Sequence, residues 1–352
     1  MQVHIHSVAT ARAPHELPQD LVARRARKLL GDRYPGFDRV ARSFGTAGIE
    51  TRRSVAPIDW FEAPHGWADR NETYLDGARA LFDTAAEAAL DEAGWRADQV
   101  DVIVTISSTG IATPTLEAQS ALSFRPDVLR IPVFGLGCAG GVSGLSIAQG
   151  QAAGRPGARV LLVVVEACTV SFRADRLRKS DIVAAILFGD GAAGACLSTE
   201  TPRGQAITCG PGTQTTWPDT LDIMGWDVDD TGFGVVFDRS IPDFVLDRFA
   251  DAAGDALHAF GLSRDDVAKF VCHPGGAKVL DALTDTLALP ANAMTEERET
   301  LRLHGNMSAP TVLFVLREVL DGDKHGTMVA CALGPGFTAA FLPLSVPPKA
   351  PQ

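Results

Sequence analysis

The pattern of apolar and polar residues predicts helices and strands that recur in two similar series along the chain. Residues 85–106, AAEAALDEAGWRADQVDVIVTI, predict an alanine-rich amphipathic helix, a glycine at its end, a short acidic turn and a β-branched strand. Residues 252–273, AAGDALHAFGLSRDDVAKFVCH, predict the same elements in the same order, with Gly261 in the place of Gly94. The chain therefore contains an internal repeat.

A second pair of segments extends this repeat. Residues 136–166 and 304–334 each predict a glycine-containing turn, a helix of small and apolar residues, a polar glycine turn and a buried strand. In this alignment Cys138 corresponds to Asn306. We therefore predict a tandem duplication of one layered α/β unit, whose short central strands are covered on both faces. The predicted halves are residues 1–200 and 201–352.

Composition and charge narrow the classes of function. The 352 residues are 46% apolar and 21% charged, which is an ordinary globular composition. No apolar run is long enough to span a bilayer, and the N-terminal residues lack the apolar core of a signal peptide. The net charge of −11 argues against nucleic acid or an anionic membrane as the main partner. We therefore expect a cytoplasmic protein without membrane insertion.

One segment opposes the acidic balance. Residues 21–53 contain nine Arg or Lys residues against three Asp or Glu residues. This segment predicts either a site that attracts a small polyanion or a solvated helix face.

The six cysteines form no C-x-x-C pair, which argues against a zinc site or a redox dithiol. Several lie in apolar runs, where a reduced cysteine packs as a small hydrophobic residue. We expect free thiols, no bound metal and no cofactor.

The stretch VFGLGCAGG contains G-x-G-x-x-G at Gly135, Gly137 and Gly140, a pattern typical of dinucleotide-binding loops. Glu166, at the end of the next predicted strand, could supply the acid that such sites use. Two observations argue against this reading. Pro132 lies inside the strand that would precede the loop, and the second copy of the repeat, HGNMSAPT, lacks the glycine pattern.

The same stretch also places Cys138 at a predicted helix start. A helix N-terminus carries partial positive charge, so we expect the pKa of this thiol to be lowered and the residue to act as a nucleophile. A buried structural cysteine remains the alternative. In the second half, His273 ends a buried strand and Asn306 begins the helix that corresponds to the Cys138 helix. A pseudo-twofold arrangement of the halves would bring these three side chains together.

A thiol, an imidazole and a carboxamide suit one type of chemistry. The imidazole can hold the thiol as a thiolate, which accepts an acyl group from a thioester. The imidazole and the carboxamide can together donate two hydrogen bonds to the enolate that forms when a malonyl thioester loses CO₂.

Five ordered motifs resemble those of type III polyketide synthases, the chalcone synthase-like family. They are GCAGG (137–141), LFGDGAA (187–193), HPGG (273–276), GNMS (305–308) and GPGF (334–337). The resemblance extends from about Gly31 to Leu344. It implies the α/β thiolase fold, a duplicated five-layer αβαβα architecture, and a homodimer that uses acyl-CoA and malonyl-CoA as substrates.

The resemblance also implies roles for individual residues. Cys138 would carry the acyl group, and His273 and Asn306 would bind the thioester carbonyl and support malonyl-CoA decarboxylation. Phe188 would be the gatekeeper between the CoA tunnel and the cavity. The residues expected to contact CoA are Arg39, Arg42, Gly275 and Gly276.

The resemblance places a further set of residues around the substrate cavity. These are Ser108, Thr109, Thr113, Cys168, Ser171, Ala184, Trp226, Ser308, Gly334, Pro335, Gly336 and Phe337. Thr113 would reach the cavity of the partner subunit. Residues 224–242 look more like bacterial members that extend fatty acyl starters to alkylpyrones or alkylresorcinols, and the small Ala184 suits a long alkyl chain.

Two other enzyme functions remain as alternatives. A β-ketoacyl-acyl-carrier-protein synthase III also uses Cys, His and Asn, but it performs a single condensation with an acyl carrier protein. The motifs HPGG and GNMSAPTVLF favour the polyketide synthase over it. The more distant alternative is an NAD-dependent enzyme that uses the glycine loop.

Overall fold

The computed structural model describes residues 1–173, 175 and 178–349, so the last three residues of the predicted second half lie outside the described range. The helices are α1 Gln19–Leu30, α2 Phe37–Thr46, α3 Trp67–Ala93, α4 Gly140–Gly154, α5 Lys179–Leu187, α6 Ile241–Phe260, α7 Ala277–Thr286, α8 Thr295–His304 and α9 Thr311–Asp321.

The strands of the first half are β1 Val3–Arg12, β2 His15–Pro18, β3 Thr51–Ser54, β4 Val102–Ile106, β5 Leu129–Val133, β6 Val160–Ala167 and β7 Asp190–Ser198. Those that follow are β8 Ile207–Cys209, β9 Thr213–Thr216, β10 Met224–Asp229, β11 Gly232–Phe237, β12 Lys269–Cys272, β13 Gly326–Gly334 and β14 Thr338–Val346.

Two buried helices form the central layer of the fold. Helices α4 and α9 lie side by side and bury small and apolar residues against strands from both halves. Helix α3 covers the outer face of the first-half strands, and α6 and α7 cover the outer face of the second-half strands. The layers therefore run helix, sheet, helix, sheet, helix, which confirms the predicted duplicated αβαβα architecture.

Each half contains the same sheet unit. In the first half β4 runs parallel to β6, and β6 runs antiparallel to β7. In the second half β12 runs parallel to β13, and β13 runs antiparallel to β14. The short strand β8 pairs with both β1 and β14, so the two units are joined in one hydrogen-bonded sheet. The central strands β4 and β6 are buried along their whole length, as their continuous apolar sequences predict.

The repeat is also visible in the helix ends. Gly94 ends α3 with φ 67°, and Gly261 ends α6 with φ 68°, both in the left-handed conformation that glycine adopts without steric cost. In each copy the glycine is followed by a single 3₁₀ turn and then by a strand of the sheet, β4 or β12. The matched glycines therefore mark equivalent turns in the two halves.

Strand β5, which precedes the glycine loop, lies at one edge of the sheet and pairs only with β4 among the described residues. Proline lacks a backbone N–H, and an edge strand tolerates this loss because one of its sides is unpaired. The position of Pro132 is thereby explained.

Candidate active site

The Cys138 side chain is presented by a tight turn between β5 and α4. Gly135 and Gly137 adopt φ angles of 93° and 48°, and a 3₁₀ turn over Gly137–Ala139 leads directly into α4. Cys138 is 8% exposed, and its Sγ donates a hydrogen bond to Ser308 Oγ at 3.4 Å. The predicted location of the thiol at a helix start is confirmed.

The glycines of this loop allow the second half of the chain to approach closely. A Cβ on Gly137 would lie 2.6 Å from Pro335 Cδ, and one on Gly140 would lie 2.7 Å from Ile106 Cγ2. A Cβ on Gly141 would overlap the Ala309 carbonyl oxygen. Two of the three pattern glycines, Gly137 and Gly140, are thus covered by protein atoms instead of facing a pyrophosphate, which argues against the dinucleotide-binding alternative, whereas Gly135 has no atom within 4 Å of its missing Cβ.

His273 follows directly after β12. Its backbone N–H donates to the Cys331 carbonyl at 2.8 Å, which continues the pairing between β12 and β13 by one residue. The side chain is 5% exposed. Within the described residues, neither ring nitrogen has a hydrogen-bond partner. Both nitrogens are therefore available to a substrate.

Asn306 lies between α8 and α9, with its carboxamide fixed by two hydrogen bonds. Its Nδ2 donates to the Gly275 carbonyl at 3.1 Å, and its Oδ1 accepts from the Ser308 backbone N–H at 2.8 Å. One Nδ2 hydrogen is left for a ligand. The prediction that Asn306 begins a helix is wrong, because α9 begins at Thr311, whose hydroxyl accepts from the Met307 N–H one turn earlier.

Cys138, His273 and Asn306 line one pocket, together with Gly275 and apolar side chains of the second half. The structure thus brings the three predicted side chains together from distant parts of the sequence. The arrangement combines a nucleophile with two donors that converge on the same small volume.

The electrostatics of this pocket correct one prediction. Burial raises the pKa of the Cys138 thiol to about 11, and burial lowers the pKa of His273 to about 3. A neutral thiol and a neutral imidazole are therefore the resting forms at neutral pH. The expected lowering of the thiol pKa by the helix start is wrong, because the cost of a buried charge is larger than the effect of nearby donors.

A second pocket lies on the other side of Cys138. The predicted cavity residues in its lining are Ser108, Thr109, Trp226, Ser308 and Pro335, with Phe188 at one end. Trp226 Nε1 donates to the Ser108 carbonyl at 2.7 Å, and Ser108 Oγ accepts from the Gly135 N–H at 3.0 Å. These bonds connect the β10–β11 hairpin to the turn that carries the thiol.

A third pocket lies beyond Phe188 and contains the predicted residues Cys168, Ser171 and Ala184. Phe188 lines both the second and the third pocket, so its ring stands between them. Most of the remaining lining is apolar, and α1 contributes Val22, Ala26 and Leu29 at helical spacing. The role of Phe188 as the gatekeeper to a CoA tunnel stays a prediction.

Sequence reasoning missed several lining residues. Met224, Val235 and Phe237 of the β10–β11 hairpin line the second pocket, and α1 lines the third. The only sequence signal from α1 is an apolar face of the kind that any core-facing helix shows. Such a pattern does not distinguish a cavity wall from a packed core.

Some predicted residues lie elsewhere. Phe337 is fully buried against Phe244 and Trp217, with ring centroids 4.9 and 5.9 Å away, and is not among the residues that line the three pockets described above, so its role in the cavity wall stays a prediction. Gly334 packs beneath the thiol turn, where an added Cβ would lie 2.6 Å from the Leu136 carbonyl oxygen. Gly336 occupies a turn with φ 91°.

The remaining predicted contacts lie at the surface or beside the pocket. Arg39 and Arg42 are exposed on α2, and Thr113 is exposed in the loop after β4. Gly276 caps α7 next to Leu187. Over the residues that the structure describes, no helix has both the length and the apolar character needed to cross a bilayer.

Residues 65–201 match the family model for the N-terminal domain of chalcone and stilbene synthases, and residues 209–345 match the model for the C-terminal domain.

Individual relatives agree with this assignment. The chain is 36% identical over 351 residues to 1,3,6,8-tetrahydroxynaphthalene synthase from Streptomyces peucetius subsp. caesius, covering 96% of this chain and 92% of the relative. It is 26% identical over 329 residues to phloroglucinol synthase from Pseudomonas fluorescens, covering 92% of this chain and 94% of the relative.

A solved structure agrees over nearly the whole length. The crystal structure of 1,3,6,8-tetrahydroxynaphthalene synthase from Streptomyces coelicolor superposes with a TM-score of 0.92 at 27% identity, covering 99% of this chain and 100% of that chain. Two matched domains, full-length relatives and a shared thiolase fold lead to one assignment. The chain belongs to the chalcone and stilbene synthase family and is a type III polyketide synthase, an acyltransferase.

Proposed function

We propose that this enzyme loads an alkyl acyl group from acyl-CoA onto Cys138 and extends it with malonyl-CoA. Release would follow cyclisation to an alkylpyrone or alkylresorcinol. The observation that carries the choice of starter is the apolar third pocket beyond Phe188. The convergence of Cys138, His273 and Asn306 on one pocket supports the chemistry.

Loading begins with proton transfer within the neutral pair. As the acyl thioester enters, His273 takes the Cys138 proton through a free ring nitrogen, and the thiolate attacks the thioester carbonyl. The carbon–sulfur bond to CoA breaks, and the imidazolium returns its proton to the departing CoA thiolate. The products of this step are acyl-Cys138, free CoA and a neutral imidazole.

Extension uses the same pocket. The imidazole N–H and the free Nδ2 hydrogen of Asn306 donate to the thioester oxygen of malonyl-CoA, and the carbon–carboxylate bond breaks to release CO₂. The resulting enolate attacks the acyl carbon, and the Cys138 thiolate leaves. The lengthened β-ketoacyl-CoA then reloads Cys138 for another cycle.

The starter would enter the third pocket with its alkyl end first. This pocket presents almost no polar surface, so it favours a hydrocarbon chain over a polar starter. Ala184 lies in its wall and leaves room for methylenes, while Phe188 separates this space from the thiol.

A panel of starters tests the proposal directly. The enzyme is incubated with malonyl-CoA and straight-chain acyl-CoAs of increasing length, and the products are identified by mass spectrometry. We expect alkylpyrones or alkylresorcinols from long starters. Ala184→Phe should shift the preferred starter to shorter chains while malonyl-CoA decarboxylation continues. Equal use of all lengths by both forms would contradict the assignment of the pocket.

A second candidate is self-priming by malonyl-CoA. It is favoured by the 36% identity to a protein named 1,3,6,8-tetrahydroxynaphthalene synthase. An aromatic product from malonyl-CoA alone, unaffected by long acyl-CoAs, would support this candidate over the alkyl starter.

The role of the thiol is tested separately. Cys138→Ala should abolish polyketide formation but leave malonyl-CoA decarboxylation, because His273 and Asn306 remain. His273→Ala or Asn306→Ala should reduce decarboxylation as well, measured as CO₂ or acetyl-CoA release. If Cys138→Ala still formed polyketide, the assignment of Cys138 as the nucleophile would be wrong.

The exposed arginines and the free sheet edge support two further parts of the proposal. Arg39 and Arg42 have no ion-pair partner among the described residues and would attract the CoA phosphates. The edge strand β5, followed by Phe134 at 55% exposure, would pair two copies into a homodimer. Thr113 would then face the partner.

A further inference from the structure

The orientation of His273 raises a question about its support. Catalytic histidines are commonly held by a third group that accepts a hydrogen bond from one ring nitrogen. Here neither ring nitrogen has such a partner in the described part of the chain. The position of the imidazole therefore depends on its backbone and on packing.

The backbone before His273 is held from outside the sheet. Strand β12 is the terminal strand, so alternate N–H groups point away from β13. The N–H of Cys272 points this way and donates to Glu297 Oε1 at 3.1 Å. The N–H of His273, one residue later, points the other way and donates to the Cys331 carbonyl.

The Glu297 carboxylate holds both ends of this short strand. Its second oxygen, Oε2, lies 2.7 Å from the Nζ of Lys269, the first residue of β12. The Glu297 side chain is fully buried, and that of Lys269 is 5% exposed. A buried charge pair of this kind is weak evidence for stability, so its retention calls for another explanation.

Glu297 also lies on the helix that leads to Asn306. Helix α8 ends at His304, and Asn306 follows two residues later. Its carboxamide is tied to Gly275, two residues beyond His273. Two hydrogen bonds thus join the segment that carries His273 to the segment that runs from α8 to Asn306. The Glu297 bond lies just before the imidazole, and the Gly275 bond lies just after it.

We propose that Glu297 is a positioning residue: through the Cys272 N–H, it sets the imidazole of His273 relative to the carboxamide of Asn306. This inference rests on the proposed role of His273 in malonyl-CoA decarboxylation. Lys269 neutralises the buried carboxylate and keeps its second oxygen engaged.

Two double variants separate positioning from stability. Lys269→Met/Glu297→Gln and Lys269→Met/Glu297→Met both remove the Lys269–Glu297 pair, and both leave Glu296, whose Oε2 lies 3.1 Å from Lys269 Nζ, with Lys324 as its remaining partner. We therefore expect the two variants to have similar melting temperatures. Only the first retains an oxygen acceptor for the Cys272 N–H. We expect the first to keep most of the decarboxylation kcat and the second to lose about tenfold, with KM for malonyl-CoA unchanged in both.

Controls distinguish the ways in which this can fail. Lys324→Met removes an exposed partner of the neighbouring Glu296 and should change neither kcat nor KM. If His273→Ala, assayed in parallel, leaves decarboxylation intact, the proposed function itself is wrong. If His273→Ala abolishes it but the two double variants have equal kcat, only the positioning role is refuted. Should the second double variant be insoluble, Lys269→Met/Glu297→Leu replaces it, with the same expected loss of kcat, because it also lacks an acceptor for the Cys272 N–H.

Discussion

The thiol of Cys138 is subject to opposed influences. Burial and the nearby Glu166 carboxyl favour the protonated form, whereas the Ser308 hydroxyl and the Asn306 carboxamide favour the thiolate. Burial is the largest effect, so the resting nucleophile is a neutral thiol beside a neutral imidazole. Such a thiol becomes reactive when His273 removes its proton, which couples nucleophile formation to the arrival of a thioester.

Alkylation measures this ionisation directly. Below its pKa the thiolate fraction of a thiol rises tenfold per pH unit, and only the thiolate reacts. With a pKa of about 11, the rate of iodoacetamide labelling of Cys138 should rise with a slope near one from about pH 7 to pH 10. Peptide mass spectrometry identifies the site, and Cys138→Ser removes the signal. A rate that is already flat near pH 7 would instead show the thiolate expected from the sequence.

The sequence predicted the identity of the site residues better than their environment. Cys138 and Asn306 were found because they lie at corresponding positions of the two copies, and His273 was found because it ends a buried strand. The pKa of Cys138 was not, because it depends on burial, which local sequence does not specify. The role of Phe337 in the cavity wall stays a prediction, because a motif gives its neighbours along the chain but not the direction of its side chain.

At the scale of elements, the contact between α4 and α9 determines the geometry of the pocket. Helix α4 follows Cys138 and α9 follows Asn306, and both are buried in the central layer. Small residues allow the two helices to approach, most closely where Gly141 meets Ala309 and Val312. The distance between the thiol and the carboxamide therefore depends in part on the absence of a side chain at Gly141.

Gly141→Ala tests this contact. The added methyl overlaps the Ala309 carbonyl oxygen, so we expect a destabilisation of about 1–3 kcal/mol and a loss of polyketide formation as α9 is displaced. Gly150→Ala is the matched control, because Gly150 lies in the same helix with no atom near its missing Cβ. Helix propensity should make this control slightly more stable. Denaturant midpoints and kcat are measured, and a fully stable, active Gly141→Ala would contradict the role of the contact.

The element order was largely predictable, because periodicity and the matched glycines Gly94 and Gly261 define helix ends in both copies. The lining contributed by α1 was not, since its apolar face gives the same pattern whether it packs against a core or borders a cavity. The edge position of β5 was also hidden, although Pro132 was a usable signal for it.

At the scale of the whole molecule, several exposed apolar side chains lie on or next to the free edge of the sheet. Phe134 is 55% exposed immediately after β5, and Ile111 is 47% exposed in the loop that carries Thr113. An unpaired strand beside exposed apolar side chains favours pairing with a second copy. The acidic charge of the chain favours solubility of the rest of the surface.

The proposed homodimer through the β5 edge can be tested by sedimentation. The native chain should sediment with twice its 37.2 kDa mass, and Phe134→Asp should shift it toward the monomer at micromolar concentration. Leu246→Asp is the control, since Leu246 is 49% exposed on α6, away from β5. A native monomer, or a Phe134→Asp dimer as stable as the control, would argue against this edge as the interface.

The division of the chain at residues 200 and 201 stays a prediction.

The backbone pairing between Phe188 and Asn306 constrains how this enzyme can evolve. The Asn306 N–H donates to the Leu187 carbonyl, and the Gly189 N–H donates to the Asn306 carbonyl. A mutation that shifted the main chain at 187–189 to admit a bulkier substrate would also displace the carboxamide. We therefore expect changes in substrate size to arise from side-chain replacements around the ring, at sites such as Ala184, while the main chain there stays unaltered.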